Sequence, residues 1–140
     1  MKKKVLILCT GNSCRSQMAE GFLRHYGDDK FEAFSAGTKP SKVNETAIKV
    51  MKEAGVDISG QRSKNVTEYL NQPFDYVISV CDNAKESCPV LPGAATKLHW
   101  PFPDPPHDKD ISEAVLNEFR KVRDLIQEKF KKVAETGKVA

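Results

Sequence analysis

Val5-Leu6-Ile7-Leu8-Cys9-Thr10-Gly11-Asn12-Ser13-Cys14-Arg15-Ser16 is an apolar run closed by a cysteine, then a short polar loop, then the start of a helical pattern. It reads as strand, anion-cradling loop and helix N-terminus. Successive N–H groups in such a loop converge, and the helix end adds positive partial charge. Arg15, six positions after Cys9, brings a planar fork that can bind two oxygens of a tetrahedral oxyanion. The same field favours a thiolate at Cys9, below the free value of about 8.5. Thr10, Gly11, Asn12, Ser13, Cys14 and Arg15 are therefore the candidate oxyanion site. Ser16 is placed to cap the helix and to donate a hydrogen bond to the sulfur of Cys9. A bare Cys-x5-Arg spacing is weak; the strand before it and the helix after it give it meaning.

Outward from this stretch, strands alternate with helices. The first strand is expected over about Lys3 to Leu8, with the continuous apolar character of a parallel strand covered on both faces. A helix follows from about Ser16 to Tyr26, with Met18, Ala19, Phe22, Leu23 and Tyr26 inward and Gly27 as a left-handed stop. Phe31 to Gly37 is a second strand, and Asn44 opens a helix through about Ala54, closed by Gly55. Val56 to Val66 is polar and gives no pattern; Thr67 to Leu70 reads as a short helix. Asp75 to Val80 is a third strand, again ending in a cysteine, Cys81, and Asp82 to Ser87 reads as a short helix before Cys88-Pro89. Ala95 to Trp100 is a fourth strand. Pro101 to Pro106 holds too many prolines for anything but a rigid loop. Asp110-Ile111-Ser112-Glu113 fits a capping box. The last helix then places Val115, Phe119, Val122, Ile126, Phe130 and Val133 on one stripe, up to Gly137. The expectation is a single α/β domain over residues 1–140, with a four-stranded parallel sheet flanked by helices on both faces. Ligands then bind beyond the carboxyl ends of the strands, where Cys9 and Cys81 both fall.

Composition agrees with a globular protein. Hydrophobic residues make up 39% and charged residues 29%, and the net charge is only +3, with no basic block beyond Lys2-Lys3-Lys4. Nothing in this argues for nucleic acid or a membrane surface. Met1 to Cys9 superficially resembles a secretion signal, but its apolar run of four residues falls short of the roughly 7–15 such a signal needs. The chain reads as cytoplasmic, so its four cysteines are expected to be reactive thiols rather than structural disulfides.

The spacing of Cys81 and Cys88 does not suit zinc, which takes closer pairs. Opposite a reactive Cys9, a redox role is favoured over simple burial. Cys14 reads as packing behind the loop. Asp104, in the proline-stiffened loop, is a candidate general acid. His25, His99 and His107 read as solvated or structural, although His99 could line the site from a strand end. Trp100, Phe102 and Tyr76 read as packing.

Cys9-Thr10-Gly11-Asn12-Ser13-Cys14-Arg15-Ser16, Ser35-Ala36-Gly37, the Cys81/Cys88 pair and Asp104-Pro105 together resemble thioredoxin-coupled arsenate reductases, which share the fold of low-molecular-weight protein tyrosine phosphatases. The resemblance covers essentially the whole chain. It implies that Cys9 attacks arsenate held by the loop and Arg15, with Asp104 helping hydroxide leave. Cys81 then attacks Cys9, releasing arsenite and leaving a transient Cys9–Cys81 disulfide. Cys88 attacks Cys81, and thioredoxin reduces the final Cys81–Cys88 disulfide. No cofactor is implied, phosphate and sulfate would act as mimics of arsenate, and a monomer is expected. The alternative is a phosphotyrosine phosphatase using Cys9, Arg15 and Asp104. Such phosphatases carry tyrosines just after Asp-Pro, where this chain has Pro106-His107. A third reading is a non-catalytic oxyanion-binding thiol sensor. Some relatives bind potassium through residues matching Asn12, Glu20 and Ser35 and oxygens of the segment around Gln61 to Lys64. Here that segment reads Gln61-Arg62-Ser63-Lys64, so the Lys64 ammonium is expected to stand in for the ion.

Overall fold

The computed structural model describes residues 2–69, 71–80, 96–106 and 109–139. Four parallel strands, β1 (Lys3–Cys9), β2 (Phe31–Gly37), β3 (Tyr76–Ser79) and β4 (Thr96–His99), form one sheet in the order β2-β1-β3-β4. The α-helices among the described residues are α1 (Arg15–Gly27), α2 (Glu45–Glu53) and α3 (Glu113–Thr136), and a 3-10 turn covers Val66–Tyr69. The fold is the expected single-domain α/β arrangement with four parallel strands, but the described α-helices pack against one face of the sheet rather than both, and the 3-10 turn and an aromatic cluster cover the other. No helix among the described residues is long and apolar enough to cross a membrane.

β1 lies at the centre, and Val5 through Cys9 are all buried, because both of its faces are covered. Its side chains alternate. Val5, Ile7 and Cys9 join the core built from α1, α2 and α3, whereas Leu6 and Leu8 meet Ala36, Val66, Tyr69 and Val77 on the other side. There Phe34, Tyr69 and Phe74 contact one another edge to face, with centroids 5.6 to 5.9 Å apart. The helical stripes are as read: Met18, Ala19, Phe22 and Leu23 are inaccessible, as are Phe119, Ile126 and Phe130 of α3. Burying each of the large ones contributes about 1.5–3 kcal/mol. At the edge of this layer Glu53 of α2 takes Arg120 at 2.7 Å and Arg123 at 3.0 Å from α3.

The helix ends depart from expectation in three places, each for a local reason. α1 begins at Arg15 with Cys14 at the cap position and no side-chain cap, so Ser16 lies inside the helix and does not cap it. Gly27 stays right-handed and ends α1 as an ordinary helical residue. Its missing side chain serves packing: a Cβ there would sit 3.1 Å from Ala134 Cβ and 3.3 Å from Phe31. The cap of α3 is Ser112, whose Oγ accepts from Val115 N at 3.2 Å. The residue at the third helical position is thus Val115, not an acid, and the reciprocal half of the Asp110–Glu113 box is not formed. Asn44 caps α2 by accepting from Ala47 N, and Gly55 and Gly137 do take left-handed φ of 83° and 71°. Leu70 and the Asp82–Ser87 segment lie outside the described residues.

Candidate active site

The loop after β1 is shaped by what its carbonyls touch. Thr10 O accepts from Lys39 N at 2.9 Å, Gly11 O from Ser41 N at 3.2 Å, Ser13 O from Asn44 N at 3.0 Å and Cys14 O from Met18 N at 2.9 Å. Asn12 O accepts from Gln17 Nε2 at 2.9 Å, and Ser63 Oγ donates to Gly11 O at 3.1 Å. Each carbonyl from residue 10 to 14 is therefore drawn outward. A trans peptide sets N–H opposite C=O, so the following N–H groups turn to the other side. This is the arrangement that makes a loop an anion cradle.

Two residues make that path possible. Asn12 is buried with φ 46°, a left-handed conformation that asparagine tolerates better than most side chains. Gly37 closes β2 directly opposite Cys9. A Cβ on it would lie 2.5 Å from Thr10 O and 2.7 Å from Cys9 O, so only glycine lets the loop backbone pass.

On the concave side Cys9, Thr10, Gly11, Ser13, Cys14 and Arg15 line a cavity of about 260 Å³, and Asp104 joins them from the proline-rich loop. Arg15 is buried, donates Nη1 to Phe102 O at 3.1 Å and pairs Nη2 with Asp104 at 3.3 Å. Its Nε is buried with no hydrogen-bond partner among the described residues. A buried donor normally finds a partner, and this one belongs to a cation lining the cavity. Phe102 N bonds Val80 O at 3.0 Å, which anchors the Pro101–Pro106 segment beside the strand ends.

Ser16 Oγ accepts from Asn12 Nδ2 at 2.8 Å and so retains its own proton to donate. Cys14 is buried, and burial pushes its thiol up to about 11, against a lowering hydrogen bond from Ser13. Its sulfur is therefore protonated at neutral pH. We predict that at pH 7 iodoacetamide modifies Cys9 and spares Cys14, with Cys14 labelling rising only as pH approaches about 11; peptide mass spectrometry reads both sites. Labelling of Cys14 as fast as Cys9 would contradict this.

Cys81 and Cys88 lie outside the described residues, as does His107. The described chain brings residue 80 to the site's edge of the sheet, where Val80 N bonds Leu8 O at 2.9 Å. His25 is exposed against Tyr26, and His99 Nδ1 bonds Ser79 Oγ; neither lines the cavity. No cluster of three or more His, Cys, Asp or Glu suited to a metal occurs among the described residues. Behind the loop, Glu20 is buried and accepts from Ser35 Oγ. Its carboxylate pairs with Arg24 at 2.8 Å and with the buried Lys64 Nζ at 3.4 Å, and Lys64 Nζ also donates to Arg62 O at 2.9 Å. Burial lowers the Lys64 pKa, and Glu20 opposes that shift.

The sequence does not reveal the N–H donors of Lys39, Ser41 and Asn44 or the amide of Gln17 as supports of the loop. The resemblance brings the segment around Gln61 to Lys64 beside the loop, without the hydrogen bonds that Gln61 and Ser63 make there. One signal was available. Arg15, Ser16, Gln17 and Glu20 crowd polar groups onto every side of the first turns of α1, and the structure buries all four.

A strand-ending cysteine, an outward-tied loop and an inward arginine at a helix start define the phosphatase class of oxyanion site. The chain belongs to that class by sequence as well: residues 4–139 match the low molecular weight phosphotyrosine protein phosphatase family. Within it, the chain is 44% identical to an arsenate reductase of Halalkalibacterium halodurans over 98% of this chain and 99% of that one. A solved arsenate reductase in the phosphate-binding state superposes with TM-score 0.78 at 36% identity, covering 96% of this chain and 98% of that one. A low-molecular-weight protein tyrosine phosphatase from T. tengcongensis superposes with TM-score 0.79 at 28% identity, covering 96% and 99%.

Proposed function

We propose that this protein reduces arsenate to arsenite with electrons from thioredoxin. The observation that carries the proposal is a cavity lined by Cys9, Arg15 and Asp104, with an Arg15 Nε that is buried and has no partner among the described residues. It supplies one donor to an oxyanion oxygen while Nη1 and Nη2 hold the surrounding frame. The identity to arsenate reductases over nearly the whole chain favours arsenic over a phosphotyrosine as the group turned over.

In this scheme Cys9 attacks arsenic and forms an S–As bond, and a hydroxide leaves as water with a proton from Asp104. The loop's N–H groups and Arg15 hold the remaining oxygens. Cys81 then attacks the sulfur of Cys9. An S–S bond forms, the S–As bond breaks, and its electron pair stays on arsenic, which leaves as arsenite. Cys88 attacks Cys81, the Cys81–Cys88 disulfide forms, and the Cys9 thiolate is regenerated. A thioredoxin dithiol returns the two electrons. Cys88→Ser tests the relay. It is expected to release about one arsenite per protein and stop with Cys9 joined to Cys81, read by mass spectrometry of non-reduced peptides. Repeated turnover in that variant would overturn the scheme.

The Lys64 ammonium fills the role a potassium ion would have beside Glu20. A monovalent ion there would share one buried carboxylate with an existing cation, which like-charge repulsion disfavours. The expected result is the same turnover rate in potassium chloride and sodium chloride at equal ionic strength. A several-fold rise with potassium would count against the substitution.

A further inference from the structure

Behind the loop runs a chain of side-chain amides whose direction the backbone fixes. Lys64 N can only donate, and it lies 2.8 Å from Asn12 Oδ1. The other end of the Asn12 amide is therefore nitrogen, and it donates to Ser16 Oγ at 2.8 Å. Arg62 O can only accept, so the Gln17 atom 2.9 Å from it is nitrogen. That nitrogen also reaches Asn12 O at 2.9 Å and Asn12 Oδ1 at 3.0 Å. Gln17 Oε1 is then left to accept, and Gln61 Nε2 donates to it at 2.7 Å and to Gln17 O at 3.1 Å. Every member donates in one sense: Gln61 to Gln17, Gln17 to Asn12, Asn12 to Ser16. Asn12, Ser16 and Gln17 are inaccessible to solvent, and aligned hydrogen bonds in such surroundings polarise one another.

We propose that Gln17 and Gln61 are positioning residues whose one-way amide chain holds Asn12 left-handed, keeps the loop's N–H groups on the oxyanion, and strengthens Ser16 as a donor toward Cys9. This rests on the reading of residues 9–15 as the oxyanion site. Neither glutamine lines the cavity, so their effect passes through Asn12 and Ser16. The chain also explains why Asn12 is held so firmly: both of its oxygens and its amide nitrogen are engaged.

The test uses Gln17→Met and Gln61→Met in the full-length protein. Both keep side-chain length, remove the amide and leave charge unchanged. The charged groups around the loop, Arg15 and Asp104 in the cavity and Glu20, Arg24 and Lys64 behind it, are common to all variants. Iodoacetamide labelling of Cys9, located by peptide fragmentation, is followed against pH and against added sulfate. Gln17→Met is expected to weaken sulfate protection about tenfold and to move the labelling profile up by about one pH unit. Gln61→Met, one link further away, should act in the same direction by about threefold. Once Gln17 is cut, removing Gln61 should add nothing, which is the non-additivity of a single chain. Folded variants with an unchanged profile and unchanged sulfate protection would overturn the proposal, even if their melting temperatures fell, and so would additive effects in the double variant. If Gln17→Met does not fold, Gln61→Met alone decides. If the unsubstituted protein neither binds sulfate nor labels at Cys9 below the free-thiol range, the oxyanion reading itself fails and this inference falls with it.

Discussion

Cys9→Ser is expected to abolish arsenite release, by about 10⁴-fold or more. Two separate losses combine. A serine hydroxyl ionises far above a thiol, so the field of the loop and Arg15 leaves it protonated at neutral pH. An ester through oxygen also cannot be resolved by a second cysteine, because no S–S bond can form to leave the electron pair on arsenic. The change removes little volume from a buried strand end, so folding and sulfate binding should persist. Calorimetric sulfate titration beside an arsenite assay separates chemistry from binding. Residual turnover within tenfold of the unsubstituted protein would mean that Cys9 is not the nucleophile.

Arg15→Lys is expected to lower kcat/KM by about 10²–10³-fold although the charge is kept. Lysine offers a point charge on a flexible stem in place of a rigid fork. It loses the buried Nε donor, which has no partner among the described residues, and cannot at once hold Phe102 O and Asp104 as Nη1 and Nη2 do. Sulfate should bind more weakly, because ground-state anion contacts go with the guanidinium. Steady-state kinetics with sulfate as competitor measure both effects. Near-normal kcat/KM in Arg15→Lys would show that charge alone suffices and that the fork geometry is irrelevant.

What could be read in advance divides along the line between local and long-range interactions. β1 was legible because burial on both faces leaves a continuous apolar run, and the helical stripes of α1 and α3 because one-sided burial imprints a period on the sequence. That Cys9 and Arg15 would share one cavity was legible because strand, loop and helix start occur within a dozen residues. The cap of α3 slipped by two residues because Asp110 and Ser112 both offer a side-chain oxygen, and the packing of Val115 into the core chooses between them. Gly27 misled for a related reason. A glycine at a helix end signals a left-handed stop, yet here the neighbour across the core, Ala134, is what excludes a side chain. The hydrogen bonds that frame the loop from outside could not be read, although the resemblance placed the Gln61–Lys64 segment beside it. Lys39, Ser41, Asn44 and Ser63 reach it from segments some 30 to 50 residues away, and no local pattern records which backbone N–H will meet which carbonyl.

Arsenite release under multiple-turnover conditions tests the central claim most directly. The protein is supplied with arsenate, thioredoxin, thioredoxin reductase and NADPH, with glutathione and glutaredoxin as the comparison. The account predicts many arsenite molecules per protein with thioredoxin, one NADPH consumed for each, and little with glutathione. Rapid hydrolysis of an aryl phosphate with no arsenite formed would contradict it and return the site to phosphatase chemistry.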